Sequence, residues 1–201
     1  RTGCGEWGFR NLPMKEHFSI AAEFGFKELE FGIGGNQMGR LSENPTAQEI
    51  ADFRALAASS GIATLGCCIE NDFTLPDAGL HSAQVQKAIA QSRAAALCGA
   101  KQIRFFAGFT PLLEMNEAIW SRLLSALIEC DAELEKLGLT MAIETHGSIR
   151  FQKDGSAIHS HTATTDRNAL RRLIAELPER VGFNYDPGNI RAVDPGDTRL
   201  A

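Results

Sequence analysis

With 201 residues, 44% hydrophobic and 22% charged, the chain is long enough to bury a real core and too apolar to be disordered. A net charge of −5 gives no help toward a phosphate backbone, and no apolar run approaches the roughly 18 residues of a membrane span. Nucleic acid and membrane are therefore not expected as partners. Five cysteines (Cys4, Cys67, Cys68, Cys98 and Cys130) form no C-x-x-C pair, and Cys67 and Cys68 sit in an apolar strand-like run, so a reducing, cytoplasmic compartment is expected.

Taken in chain order, six strands are predicted: Thr2–Phe9, Lys27–Ile33, Ile62–Asn71, Lys101–Ala107, Leu139–His146 and Val181–Asp186. A glycine after a helical pattern precedes four of them, at Gly25, Gly61, Gly99 and Gly138, spaced by 36, 38 and 39 residues. Glycine just past a helix supplies the left-handed conformation other residues resist. Thr46-Ala-Gln-Glu49 is a capping box for a helix whose inner side carries Ile50, Phe53 and Leu56. Pro111 is expected to open the fourth long helix, with Ile119, Leu123, Leu127, Leu134 and Leu137 as its core stripe. Thr165 or Asp166 caps the fifth, which continues through Leu170, Leu173, Ile174 and Leu177.

Strands separated by helices must pair in parallel, which leaves an open doubly wound sheet or a closed barrel. Strand parity favours the barrel. One face carries Leu65, Cys67 and Ile69, Ile103 and Phe105, Met141 and Ile143, Val181, Phe183 and Tyr185. The other carries Glu6, Glu28 and Glu30, Glu70, Gln102 and Arg104, Glu144 and His146, Asn184 and Asp186. An inward face this polar, with its charges toward the C-terminal strand ends, is where barrel enzymes place their chemistry. An eight-stranded α/β barrel needs roughly 250 residues. The expectation is a (β/α)8 barrel, a single domain over 1–201 covering about six βα units and truncated at the C-terminus before the last two.

Two motifs carry chemistry. Ala142-Ile-Glu-Thr-His146-Gly puts a carboxylate and an imidazole on one face at a strand end, where they can hold an ion or grip a substrate. Gly182-Phe-Asn-Tyr-Asp186-Pro-Gly-Asn189 ends the next strand in Asp186 and a Pro-Gly turn. Neighbouring strands lie about 4.8 Å apart, so Glu144 and Asp186 can share one cation, which also relieves their mutual repulsion.

Together these motifs resemble the sugar phosphate isomerase/epimerase superfamily, the xylose isomerase-like TIM barrels. Three further segments agree: Gly25-Phe-Lys-Glu-Leu-Glu30, Asn71-Asp-Phe-Thr-Leu-Pro-Asp77 and Gly99-Ala-Lys-Gln-Ile-Arg104-Phe-Phe-Ala-Gly108. The resemblance implies a divalent metal (Mn²⁺, Mg²⁺, Co²⁺ or Zn²⁺) held by a Glu, an Asp, a His and a Glu from strands five to eight, of which Glu144 and Asp186 match the first two. It implies Glu144 as ligand and acid/base, and His146 as a substrate contact. Asn189 stands where many epimerases of the family carry a substrate-binding His, and points to another subfamily. Arg104, Asn189 and Glu70 join His146 as candidate substrate-binding residues. Arg104 is equally readable as the structural partner of Glu70 or Glu144.

The activity so implied is isomerisation or epimerisation of a sugar or sugar phosphate, through proton transfer next to a carbonyl and an enediolate. A polyol-ketone dehydratase uses the same opening step. An apurinic-site endonuclease and a non-catalytic sugar-binding barrel are the other classes. A homo-oligomer is compatible with all of them. His159-Ser-His161 reads as solvated histidines in a long loop, Gly32-Ile-Gly-Gly-Asn36 as a mobile rim loop, and His17 and His81 receive no role.

Overall fold

The computed structural model describes residues 3–196. Thr2, where strand one was expected to start, and the chain end at Asp197–Ala201 lie outside the described residues. The elements run β1 (Cys4–Gly5), α1 (Met14–Glu23), β2 (Leu29–Ile33), α2 (Ala47–Ser60), β3 (Gly66–Ile69), α3 (Ala78–Leu97), β4 (Gln102–Phe106), α4 (Glu117–Lys136), β5 (Thr140–Glu144), β6 (Ser148–Phe151), β7 (Ala157–Ser160), α5 (Arg167–Glu176), β8 (Gly182–Asn184) and α6 (Pro187–Val193). The four spaced glycines all have positive φ, from 68° to 100°. Each closes its helix by an N–H bond to the carbonyl three residues back, as Gly99 does to Ala96 at 3.0 Å. Among the described residues no helix is long and apolar enough to cross a membrane.

The chain divides into two compact units. The first comprises residues up to Glu70, Lys87–Arg104 and Glu133–Thr140. In it β1, β2, β3 and β4 pair in parallel and in sequence order, with Cys4 opposite Leu29, Phe31 opposite Cys67 and Cys67 opposite Ile103. Thr140, which opens β5, donates its N–H to Lys101 just before β4. The core here is aromatic: Phe53 of α2 lies 4.5 Å from Phe31 and 5.8 Å from Phe18, ring centre to ring centre, and all three are buried. Thr46 and Glu49 form the expected capping box on α2, side chain to backbone in both directions.

The second unit comprises Asn71–Gln86, Phe105–Ala132 and the residues from Met141 on. β5 and β8 pair in parallel with Glu144 opposite Asn184, and β6 and β7 form an antiparallel hairpin. Leu123 and Leu127 of α4, Met141 and Ile143 of β5 and Leu173 of α5 are buried.

Several boundaries differ from expectation. The first strand ends at Gly5 and becomes a 3-10 turn over Glu6–Phe9. Pro111 precedes only a short 3-10 turn, Leu112–Glu114. The long helix waits for Asn116, whose side-chain oxygen accepts from the N–H of Ile119 at 3.0 Å, a cap that proline cannot provide. Asp166 rather than Thr165 caps α5, accepting from Asn168 and Ala169, and Ile174 of that helix is 53% exposed rather than in the core. Asp186-Pro-Gly-Asn does more than turn. Asp186 accepts from Gly188 and Asn189, Pro187 occupies the first helical turn, and α6 follows. The segment after β5, expected as loop, is the β6–β7 hairpin. Its turn is made by Asp154, which accepts from Ser156 at 2.9 Å, and Gly155 at φ 84°.

Candidate functional site

In the second unit, Glu144 ends β5 and is 7% exposed. Asp186 lies two residues beyond Asn184, the cross-strand partner of Glu144. Thr145 locks the two strand ends together: its N–H donates to Asn184 at 3.0 Å, and its hydroxyl accepts from the N–H of Asp186 at 2.8 Å. The side chains meet at Asn189. Its Nδ2 donates to Asp186 Oδ2 at 3.0 Å and to Glu144 Oε1 at 3.4 Å. One neutral amide thus spans two carboxylates. The other Asp186 oxygen caps α6, at 2.7 Å from the N–H of Gly188 and 3.1 Å from that of Asn189.

His146 is held from several sides. Its N–H donates to Thr164 Oγ1 at 3.0 Å, and its carbonyl accepts from Thr162 Oγ1 at 2.5 Å. The ring stands edge-on to Phe106 and Phe109, at 5.3 and 5.2 Å between centres. Nδ1 is 2.6 Å from the Gly147 carbonyl, which can only accept. Nδ1 therefore carries a proton, and in the neutral ring Nε2 is the basic nitrogen. Gly147 itself has no alternative, because a Cβ there would run into Val193 of α6 and the Ser160 carbonyl.

Among the described residues no group of three or more His, Cys, Asp and Glu side chains is arranged to hold a metal ion. Glu144 and Asp186 nonetheless fit one as two converging hard oxygen donors, now bridged by an amide that cancels neither charge.

The other expected site residues, Arg104 and Glu70, lie in the first unit, and each has a partner. Arg104 forks onto Glu30, Nε to Oε1 at 2.9 Å and Nη2 to Oε2 at 3.2 Å. Glu30 is thus a partner of Arg104 that the sequence reading did not name. Glu70 accepts from Arg40 Nη1 at 2.5 Å. Arg40, which the sequence reading missed, also reaches Glu6 at 2.6 Å through Nη2 and lies 3.1 Å from the Cys68 sulfur. Its side chain is 2% exposed and that of Glu6 0%. Burial works against the charge of Arg40, but Cys68, Glu6 and Glu70 outweigh it and hold its pKa above the ordinary arginine value. Arg104 is raised likewise, burial being overcome by Glu30 and Cys68. Burial pushes the Cys68 thiol well up, so it stays protonated at neutral pH.

Arg40 arrives from the glycine-rich segment, which is an ordered fold-back rather than a mobile rim. Gly34 N–H bonds to Leu41 O and Leu41 N–H to Gly32 O, both at 3.0 Å. A charge count could have found it, since inward Glu6, Glu30 and Glu70 faced one inward cation, Arg104. Of the other histidines, His17 contacts the Phe9 carbonyl, His81 the Arg122 carbonyl and His159 is exposed, whereas His161 is half-buried rather than solvated as expected.

The sequence profile of the xylose isomerase-like TIM barrel family matches residues 18–200. A comparison with curated proteins finds no match. Among solved structures, the apo 3-keto-D-glucoside 4-epimerase YcjR from E. coli is 14% identical with a TM-score of 0.71, over 98% of this chain and 72% of its own. A xylose isomerase-like TIM barrel protein from Mycobacterium smegmatis, in complex with magnesium, is 15% identical with a TM-score of 0.70, over 95% of this chain and 66% of its own. The IOLI protein with a bound zinc atom is 13% identical with a TM-score of 0.71, over 96% and 66%. At these identities the likeness is one of fold, and the chain spans about two thirds to three quarters of the lengths of these three structures.

Proposed function

Because the chain belongs to the xylose isomerase-like TIM barrel family, we propose that it carries part of a sugar or sugar-phosphate isomerase or epimerase that moves a proton next to a carbonyl. The observation that carries this reading is the Glu144–Asn189–Asp186 bridge at the ends of adjacent strands. Two carboxylates brought this close need a proton or a cation between them. Glu144 and Asp186 are the residues that would hold a divalent ion. When bound, such an ion polarises the substrate carbonyl and steadies the negative charge that develops on its oxygen.

The chain's own residues have separable tasks. Glu144 takes the proton from the carbon beside the carbonyl, and that C–H electron pair moves toward the carbonyl oxygen to give an enediolate. Its burial keeps water from competing for the proton. Asp186 is fixed by the first turn of α6 and carries no proton in the reaction. Asn189 turns its amide to whichever oxygens remain. His146, with Nδ1 protonated by the Gly147 contact, presents Nε2 to a sugar hydroxyl. Arg104 and Glu70 are assigned to substrate contact on separate grounds, as charges on β4 and just past β3 that are oriented by Glu30 and Arg40. The test is exchange of the α-proton with solvent deuterium across ketoses and their phosphates. An absence of exchange with every member, with and without Mn²⁺, rejects the reading.

A further inference from the structure

A cavity of about 440 Å³ lies between the β6–β7 hairpin and the Leu112–Glu114 turn, all within the second unit. That volume is in the range of small-molecule sites, roughly 300–1,000 Å³. None of Glu144, His146, Asp186 or Asn189 lines it. We propose that it is a second small-molecule site, independent of the carboxylate pair, for a neutral polyhydroxylated ring such as a sugar or cyclic polyol.

The hairpin register explains how the lining is built. Ser148 faces Ser160 and Arg150 faces Ile158 across the strands, and these four residues all line the cavity. The alternate pairs, Ile149 with His159 and Phe151 with Ala157, take the opposite face. One face of the hairpin therefore offers two hydroxyls side by side, with an aliphatic side chain next along the strand. The opposite wall is aliphatic, from Leu112 and the fully exposed Leu113.

The polar groups select the ligand. His161 lines the cavity, and its Nδ1 is buried without a hydrogen-bond partner. Buried polar atoms are rarely left so, and a ligand group can satisfy this one. The residue is held in place by its own carbonyl, which accepts from the N–H of Leu112 at 2.8 Å. The charges are already committed. Arg150 pairs with Glu114 at 2.9 Å, and one Asp166 oxygen caps α5. With its cation paired, the cavity has no free cation to offer a phosphate or carboxylate, and among the described residues its imidazole and carboxylates form no group of three arranged to hold a metal ion. Two hydroxyls and a ring nitrogen beside branched aliphatics match a ring that carries hydroxyls on its rim and C–H groups on its face.

The experiment uses the whole chain, with saturation-transfer NMR and calorimetric titration of methyl α-D-glucopyranoside, maltose, myo-inositol and glucose 6-phosphate. A neutral member should bind. The double variant Ser148→Ala with Ser160→Ala should weaken it about tenfold or more, the loss of two neutral hydrogen bonds, and His161→Ala separately about fivefold, the loss of one. Glu144→Gln should bind it as the parent does. The serine variants change only hydroxyls on a hairpin face and decide the matter if His161→Ala does not fold. The proposal is overturned if no neutral member binds, or if only glucose 6-phosphate binds. It is also overturned if binding survives the serine variants but is lost in Glu144→Gln, which places the sugar at the carboxylate pair.

Discussion

Carboxylates gather at strand ends in both units, and the two units treat them differently. In the first, Glu6, Glu30 and Glu70 meet Arg40 and Arg104 at 2.5 to 2.9 Å. In the second, Glu144 and Asp186 meet across an amide. An acid that owns an arginine has its charge answered by the fold, so its removal is felt as stability. Glu144 and Asp186 share an amide donor whose place an ion or a substrate can take, so their removal is expected to be felt as chemistry.

The largest effect expected is at Glu144. Glu144→Gln should lower proton exchange by about 10²–10⁴-fold, the worth of a positioned acid/base, and saturating Mn²⁺ should not restore it. Asp186→Asn keeps an oxygen and loses a charge, so excess Mn²⁺ should recover part of its activity. If Glu144→Gln exchanges protons like the parent at saturating metal, the contrast between the two carboxylates collapses.

Next comes Arg40. Arg40→Met leaves buried Glu6 facing a hydrocarbon, and losing one partner of a buried pair costs about 3–5 kcal/mol. Urea unfolding would read this directly. Adding Glu6→Gln to Arg40→Met should recover part of the loss. A variant as stable as the parent would remove the structural half of the comparison.

Arg104 sharpens the comparison, being paired with Glu30 and yet assigned to substrate. Arg104→Lys keeps the charge but not the fork, and should raise KM about tenfold, the worth of one charge-assisted hydrogen bond, with little change in Tm. A large fall in Tm with normal kinetics would move Arg104 to the structural side.

The smallest effect is at the cap of α2. Backbone hydrogen bonding to Thr46, with a further bond to Ser42, lowers the Glu49 carboxyl to about 2 from an ordinary 4.5. A depressed carboxyl adds stability that is complete above its unfolded pKa and fades as pH falls toward 2. Glu49 is half-buried at the surface, where water screens its charge, so the contribution is small. Thr46→Ala should cost about 1 kcal/mol at neutral pH. Glu49→Gln, which removes the titrating carboxyl itself, should flatten the acid loss of stability between pH 4.5 and 2 in melts across that range.

Much of the alternation of strand and helix was legible because glycine and capping chemistry are local. Gly25, Gly61, Gly99 and Gly138 each mark a helix end, and Thr46 a beginning. The residues of the Glu144 and Asp186 bridge were legible for the same reason, since parity within a strand fixes its faces. What escaped depends on contacts distant in sequence or on turn chemistry weighed too lightly. Arg40 cannot be assigned to Glu6, 34 residues away, without the fold-back that delivers it. Asp154-Gly155 between apolar flanks was a readable hairpin signal, and missing it hid the face that Ser148 and Ser160 share.

The fold-back that carries Arg40 also has a consequence for inheritance. Surface connections usually drift freely in length, because nothing inside depends on their register. Here two backbone bonds fix Gly32 and Gly34 against Leu41, and the neighbouring arginine has its partners in the interior. One residue inserted between Gly35 and Gln37 would displace the guanidinium from both acids. This connection should therefore keep its length across descendants as strictly as a strand does, while Asp154–Ser156, whose bonds are all to its own neighbours, is left to vary.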